Sequence, residues 1–189
     1  MFREISLLIA GIGGQGVRVL AKILSLILHS EGYYVTYFSS YGAEVRNTPI
    51  TASITISRRP ISTPYHLTHN IIVVMSKIAL NEATKYCSKD STVLLTYTSR
   101  EETHKIPCKR VIHIPLNETL TKYNLEKYVN TATLGLLLPL LNIPYERALK
   151  ILIDNVRDKE ANSKALKIGY SIGENLKIRG NLTLPNLTS

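Results

Sequence analysis

The chain has 189 residues, of which 44% are apolar and 20% are charged, so it can bury a core and lacks the composition of a disordered protein. Lysine and arginine outnumber aspartate and glutamate by 23 to 14, and the resulting net charge of +9 favours anionic partners. The two cysteines, Cys87 and Cys108, are too few for a four-thiolate iron–sulfur or zinc site, and too few for a disulfide-rich secreted scaffold. If the protein takes part in redox chemistry, the electrons must travel on groups that its own cysteines do not hold.

The N-terminal residues do not read as a signal peptide, because the short apolar run at residues 5–10 is followed by glycines and not by a cleavage site. No stretch reaches the ~18 apolar residues of a membrane span. We therefore expect a cytoplasmic protein with reduced thiols and no membrane association. The basic residues are spread along the chain without a Lys/Arg block, which favours a solvated basic surface over a dedicated nucleic-acid face.

The first 38 residues predict a β–turn–α–β unit. Residues 5–10 form a short apolar run that indicates a buried strand, and glycines at 11–16 end it. Apolar residues at helical spacing predict a helix over 17–30, and the aromatic and β-branched residues at 33–38 predict a second strand. Strands that alternate with helices indicate a three-layer α/β/α sandwich with a mostly parallel, Rossmann-like sheet.

The remaining pattern predicts further strands and a C-terminal helical segment. We expect strands at 50–57, 70–75, 91–96 and 110–114, and helices at 78–86, 117–123, 130–141, 145–156 and 162–179. No repeat or linker interrupts the pattern, so we expect a single domain over residues 1–180 and a polar tail at 181–189.

The glycines between the first strand and the first helix have the spacing G-x-G-x-x-G, at Gly11, Gly13 and Gly16. In that context glycines let the backbone approach an anion, and the amides at the helix N-terminus donate hydrogen bonds to it. The same glycines also suit a plain tight turn with close helix–sheet packing. Val17-Arg18 follows where a nucleotide triphosphate loop needs Lys-Ser/Thr, so that type of loop is excluded.

A dinucleotide site is disfavoured because the second strand does not end in a carboxylate that could hold ribose hydroxyls. The strand ends instead at Ser39 and Ser40. These two serines with Arg46 keep a 2′-phosphate site open, so a stand-alone NADP- or nucleotide-binding oxidoreductase domain stays an alternative. A basic, nucleic-acid-associated α/β protein is the second alternative.

Several segments together resemble a known family. They are AGIGGQGV at 10–17, SYGAEVR at 40–46, VVMS at 73–76, NTATLG at 130–135, and then Asn162, Ala165 and Gly169. In this order and spacing they are similar to the gamma subunit of 2-oxoacid:ferredoxin oxidoreductases, most of all the 2-oxoglutarate type, with the pyruvate and indolepyruvate types nearby. The resemblance covers about residues 5–172.

That resemblance implies a subunit of an enzyme that decarboxylates a 2-oxoacid oxidatively, with coenzyme A as co-substrate, to an acyl-CoA and reduced ferredoxin. It implies alpha and beta partners, with a delta subunit in some types, that carry thiamine diphosphate, magnesium and the iron–sulfur clusters. The gamma subunit helps to form the coenzyme A site and holds none of those cofactors. We therefore expect no catalytic and no metal-ligating residue on this chain.

The resemblance and the glycine loop together predict the coenzyme A contacts. The predicted cofactor-binding residues are Gly11, Gly13, Gly14, Gln15, Gly16, Tyr41, Gly42, Glu44 and Arg46. Loop amides and Arg46 would hold phosphate, the Gln15 amide would donate to a phosphate or a carbonyl, and Glu44 would orient Arg46. Glu44 and Arg46 also fit a plain surface ion pair.

Three further features of the sequence bear on the site. Asn130 is interpreted as a helix N-cap in preference to a ligand. His66 and His69 are placed in a loop as surface or capping residues in preference to metal ligands. Asn47-Thr48 stands where the family usually has Gly-Gly, which predicts an altered loop geometry beside the anion site.

Overall fold

The computed structural model describes residues 4–40, 48–97, 106–108 and 110–178. In these residues the strands are β1 (Ile5–Ile12), β2 (Tyr34–Ser39), β3 (Pro49–Ser57), β4 (Ile71–Val74), β5 (Thr92–Leu95) and β6 (Arg110–His113). The helices are α1 (Val17–Ser30), α2 (Leu80–Thr84), α3 (Leu116–Thr121), α4 (Val129–Leu140), α5 (Tyr145–Asn155) and α6 (Lys159–Ile178). Each predicted strand and helix is present, although the helix predicted at 78–86 is shorter because a 3₁₀ turn forms its start. The tail predicted at 181–189 lies outside the described residues.

All six strands belong to one sheet, in the order β2-β3-β1-β4-β5-β6. β1, β4, β5 and β6 are parallel neighbours, whereas β3 runs antiparallel to both β1 and β2. The mostly parallel α/β sheet is therefore confirmed. β2 does not lie beside β1 as in a Rossmann unit, because β3 pairs with β1 over its whole length, from Ile5 opposite Ile56 to Ile12 opposite Pro49.

The residues of β3 alternate between the two faces of the sheet, and these faces differ in character. Its residues Ala52, Ile54 and Ile56 are fully buried in the larger core, which also contains the apolar sides of α1, α4, α5 and α6. The residues that alternate with them, Thr51, Ser53, Thr55 and Ser57, all carry hydroxyl groups and lie on the opposite face. On that face a smaller core packs under α2. Helices thus lie on both sides of the sheet, as predicted, but the layer that contains α2 is much thinner.

Helices α4 and α6 pack backbone against backbone. A Cβ added at Gly169 would lie 1.9 Å from the Ala132 carbonyl oxygen, and one added at Gly135 would lie 2.2 Å from that of Leu166. A buried hydrogen bond of 2.6 Å from Thr131 Oγ1 to Asn162 Oδ1 joins the same two helices. The residues of the family pattern in this region therefore serve the close packing of two helices.

Gly169→Ala is expected to destabilise the protein by about 1–2 kcal/mol. The new methyl group forces α4 and α6 apart, and this overpacking outweighs the gain of up to about 1 kcal/mol in helix propensity. The free energy of unfolding, measured with urea, tests this. Ser171→Ala on the exposed side of α6 is the control and is expected to stay within about 0.5 kcal/mol of the wild type. A Gly169→Ala variant at least as stable as the wild type would contradict the close backbone contact.

Candidate functional site

The carboxyl ends of β1 and β4 form the switch point of the sheet, where the connections that follow the two strands pass to opposite faces. After β1 the chain enters α1 on one face, and after β4 it enters a 3₁₀ turn and α2 on the other face. The two strands are parallel neighbours, so the connections diverge and leave a crevice between them. In open α/β sheets ligands bind at such a switch point, outside the carboxyl ends of the strands.

The glycine loop lies at this point and makes a tight turn. The Gln15 N–H donates to the Ile12 carbonyl at 3.1 Å, and the Gly13 N–H donates to the Thr48 carbonyl at 3.0 Å. Gly14 and Gly16 have φ angles of 93° and 73°, a region that strains residues with a side chain. The structure therefore brings Gly11, Gly13, Gly14, Gln15 and Gly16 together in one turn.

The side chain of Gln15 holds the turn in place. Its Oε1 accepts from the Ile12 N–H at 3.0 Å, and its Nε2 donates to the Met75 carbonyl at 3.3 Å. The Met75 N–H in turn donates to the Ala10 carbonyl at 2.7 Å. The Gln15 amide was predicted to donate to a coenzyme A phosphate or carbonyl, and in this structure it donates to a backbone carbonyl of the protein. Gln15 thus links the turn after β1 to the end of β4.

The N-terminus of α1 follows the glycine turn directly, at the edge of the crevice. Gly16 occupies the N-cap position and provides no capping side chain, and the first turn of α1 contains no acidic residue. The first N–H groups of a helix have no partner within the helix, and the helix dipole adds a partial positive charge there. An anion is the ligand that this arrangement favours.

Asn130 is not the N-cap that the sequence predicted. A 3₁₀ turn leads into α4, so Tyr128 takes the N-cap position and Asn130 is the second helical residue. Its side chain lies against the glycine turn, where a Cβ added at Gly16 would be only 2.5 Å from Asn130 Nδ2. The prediction was wrong because the helix begins one residue earlier than its apolar pattern indicates. The structure thereby adds an amide group to the site.

The predicted residues Tyr41, Gly42, Glu44 and Arg46 lie outside the described residues. The residues on either side of that segment are described. Thr48 accepts from the Gly13 N–H, and the Ser40 N–H donates to the Thr51 carbonyl at 2.8 Å, where Thr51 lies opposite Ala10. Thr48 therefore lies beside the glycine turn, and Ser40 lies one strand further away, across β3.

The sheet order weakens the NADP alternative further. A dinucleotide site needs the end of the second strand directly beside the glycine turn. Here β3 lies between β1 and β2, so the two strands are about 9–10 Å apart. Ser39 and Ser40 are therefore one strand too far away to hold a ribose whose pyrophosphate sits at α1.

His69 is buried, which corrects the prediction of a surface or capping residue. It is only 2% exposed, and its Nε2 lies 2.7 Å from Ser53 Oγ. Burial, together with the nearby His66, lowers the pKa of His69 to about 4, so the ring is neutral at pH 7. Its loop position was predicted correctly, but burial depends on contacts with β3 that are distant in sequence.

Both cysteines lie among the described residues, and neither forms a disulfide bond. Cys87 and Cys108 are free and half-buried, and burial raises the pKa of Cys87 to about 11. A thiol with that pKa is almost entirely protonated at neutral pH and is a poor nucleophile or ligand. Within the described ranges, no three His, Cys, Asp or Glu side chains are grouped in a way that could hold a metal ion. None of the described helices has the length and apolarity needed to cross a membrane.

Comparison with known proteins identifies related sequences. The sequence pattern of the family described as "Pyruvate ferredoxin/flavodoxin oxidoreductase" matches residues 6–172. The 2-oxoglutarate synthase subunit KorC of Archaeoglobus fulgidus is 28% identical over 174 residues, which cover 92% of this chain and 90% of KorC. The ketoisovalerate oxidoreductase subunit VorA of Methanothermobacter marburgensis is 28% identical over 139 residues, or 74% of this chain and 29% of VorA.

A solved structure shares the fold. It is the 2-oxoglutarate:ferredoxin oxidoreductase of Magnetococcus marinus with 2-oxoglutarate, coenzyme A and succinyl-CoA bound. The TM-score is 0.81 at 18% identity, and the likeness covers 92% of this chain and 32% of the Magnetococcus chain. This chain thus spans about a third of the length of VorA and of the Magnetococcus chain, but nearly the whole of KorC.

The buried His69 makes stability depend on pH. Unfolded histidine binds a proton near pH 6.5, whereas folded His69 binds one only near pH 4. The unfolded state therefore holds more protons between these values, and stability falls as the pH falls through this window. From pH 7 to pH 4.5 the loss through His69 is expected to be about 2–3 kcal/mol in the free energy of unfolding.

Urea unfolding of the wild type and of His69→Gln at several pH values measures this contribution. The variant is expected to lose about 2 kcal/mol less than the wild type over the same range. An NMR titration of the His69 ring in the wild type gives a second measurement that does not require a variant to fold. Equal pH slopes for the two proteins, or a His69 ring that titrates near pH 6.5, would contradict the burial of a neutral ring.

Proposed function

The chain belongs to the pyruvate ferredoxin/flavodoxin oxidoreductase family, and we propose that it is the gamma subunit of a 2-oxoacid:ferredoxin oxidoreductase. In this role it helps to form the coenzyme A site of an enzyme that converts a 2-oxoacid to an acyl-CoA and reduces ferredoxin. One observation carries the proposal: the glycine turn presents the uncapped N-terminus of α1 at the switch point of the sheet.

The glycine turn supports binding of the coenzyme A phosphates. The first amides of α1 are the proposed hydrogen-bond donors, and Gly14, which is exposed, leaves space for close approach. The Asn130 side-chain amide beside Gly16 is proposed as a second donor. Arg46, which the resemblance assigns to the same site, is proposed to supply the positive charge, with Glu44 orienting it.

Gln15 has a positioning role in this proposal. Both ends of its amide are engaged by the protein, at the Ile12 N–H and the Met75 carbonyl. It therefore fixes the direction in which the α1 amides point, and the site is formed before coenzyme A arrives. A site that is ordered in advance loses less conformational entropy on binding.

The redox and carbon chemistry is assigned to partner subunits. The chain has two cysteines, and Cys87 is held protonated by burial, which does not fit an iron–sulfur cluster. Thiamine diphosphate, magnesium and the clusters are therefore proposed to lie on alpha and beta subunits, and on a delta subunit where one is present. Ferredoxin reaches the enzyme through the complex, and the proposed setting is the cytoplasm, where both thiols stay reduced.

Reconstitution tests the proposed function directly. The chain is co-expressed with candidate alpha and beta subunits, and coenzyme A-dependent oxidation of 2-oxoacids is measured with and without it. The isolated chain is expected to show no turnover, and the complete complex is expected to show activity that is lost when this chain is left out. Failure to form a stable complex, together with no effect on activity, would refute the proposal.

Asn130→Asp in the reconstituted complex tests the phosphate contact. A carboxylate in place of the amide repels a phosphate, so the KM for coenzyme A is expected to rise about tenfold or more, with the KM for the oxoacid within about twofold. Asn117→Asp is the matched control, because it adds the same charge in the first turn of a different helix, α3, which follows the edge strand β6. Arg46→Ala is expected to shift the KM for coenzyme A in the same direction. Equal changes in both Michaelis constants would argue against a role in phosphate binding.

A further inference from the structure

A cavity of about 220 Å³ lies on the face of the sheet opposite α1, between β3 and the loop at residues 58–69. Its lining includes Phe38 from β2, Ser53 from β3, and Tyr65, His66 and His69 from the loop. We call it the β3 cavity. It is separate from the glycine turn, because α1 lies on the other face of the same strands.

The hydroxyl groups of Ser53, Thr55 and Ser57 on β3 are satisfied by the loop that covers them. Thr55 Oγ1 donates to the Pro64 carbonyl at 3.4 Å, and Ser57 Oγ accepts from the Arg59 N–H at 3.1 Å. Ser53 is paired with His69 Nε2 at 2.7 Å. The loop is therefore fixed on the sheet by several polar contacts, and the space it encloses is a defined cavity.

Two ring nitrogens at the β3 cavity lack a hydrogen-bond partner among the described residues. They are His69 Nδ1 and His66 Nε2, and both atoms are buried. His69 is only 2% exposed, so its free nitrogen cannot turn to bulk water. An unpaired buried polar atom is costly, and native proteins rarely leave one without a functional or structural reason. Both nitrogens are closed to solvent in this structure, and both residues line the β3 cavity, so a shift of either ring would present its nitrogen to a ligand there.

The remaining walls of the β3 cavity are aromatic. The rings of Phe38 and Tyr65 lie 4.7 Å apart at an angle of 30°, and Tyr86 packs edge-on against His69 at 5.6 Å. Tyr65 is 74% exposed and Phe38 is 38% exposed. Large aromatic side chains kept this open at the wall of a cavity provide flat faces against which a planar ring can stack.

We propose that the β3 cavity binds an uncharged heteroaromatic ring of the nucleobase class. The described lining consists of apolar, aromatic, hydroxyl and imidazole side chains, which favour an uncharged ligand. The volume is below the about 300–1,000 Å³ of pockets for drug-sized ligands, which suits a single ring system. Aromatic walls match the faces of such a ring, and hydroxyl and imidazole groups match the donors and acceptors on its edge.

The ring has two conceivable sources, the adenine of coenzyme A and a separate nucleoside. The first rests on the proposed function, because it requires coenzyme A at the glycine turn. The second does not. Binding of a ring in the β3 cavity is common to both and is the inference that the experiment tests.

Calorimetric titration of the full chain with adenosine, guanosine and cytidine tests the inference. At least one nucleoside is expected to bind saturably, and Tyr65→Ala is expected to weaken that binding about tenfold because a stacking face is lost. Tyr123→Ala is the matched control, since it removes another exposed tyrosine, at the end of α3, and is expected to change binding less than twofold. His66→Gln tests the edge contact and is expected to weaken binding without unfolding the chain.

The inference is overturned if none of the three nucleosides binds, or if Tyr65→Ala and Tyr123→Ala behave alike. Competition in the reconstituted complex then separates the two sources. Displacement of the nucleoside by coenzyme A but not by 4′-phosphopantetheine assigns the ring to adenine, and binding alongside coenzyme A assigns it to a separate nucleoside. An unchanged KM for coenzyme A in Asn130→Asp would argue only against the contact at the glycine turn. It would not bear on nucleoside binding in the β3 cavity, which the calorimetric titration measures separately.

Discussion

The amide of Gln15 is the contact on which the geometry of the crevice depends. It joins the Ile12 N–H, at the end of β1, to the Met75 carbonyl, just beyond β4. These two strands are the neighbours whose following helices lie on opposite faces of the sheet. The side chain therefore sets the width of the crevice and the direction of α1 together. Gly11 permits this, because a Cβ there would lie 2.6 Å from Val17 Cγ2 and separate β1 from α1.

The antiparallel strand β3 has consequences on both faces of the sheet. Its isoleucines complete the core under α1, which anchors the helix whose N-terminus faces the crevice. Its hydroxyl groups face the other way, where the loop at 58–69 covers them and leaves the β3 cavity. Its position between β1 and β2 also moves the end of β2 away from the glycine turn, which removes the geometry of a dinucleotide site. One strand thus supports the helix that follows the glycine turn and gives the opposite face its polar character.

Much of this could be predicted from local sequence patterns. The apolar run before the glycines and the helical spacing after them correctly predicted β1, the turn and α1, because these elements are set by neighbouring residues. The alternation in β3 correctly predicted a strand, but alternation does not encode which strand it pairs with or in which direction. The burial of His69 and the contact of Asn130 with Gly16 depend on residues far away in sequence. Local patterns therefore wrongly predicted a surface or capping role for His69 and an N-cap role for Asn130. Gly135 in α4 and Gly169 in α6 were recognised as parts of the family pattern, and only the packing of α4 on α6 explains them.

The central claim is that the first amides of α1 hold a phosphate of coenzyme A. The most direct measurement is a structure of the reconstituted complex with coenzyme A bound. The account predicts a phosphate oxygen within about 2.7–3.2 Å of the backbone nitrogens at the start of α1, with the Asn130 amide beside it. Coenzyme A bound with both its pyrophosphate and its 3′-phosphate away from the glycine turn would contradict the account.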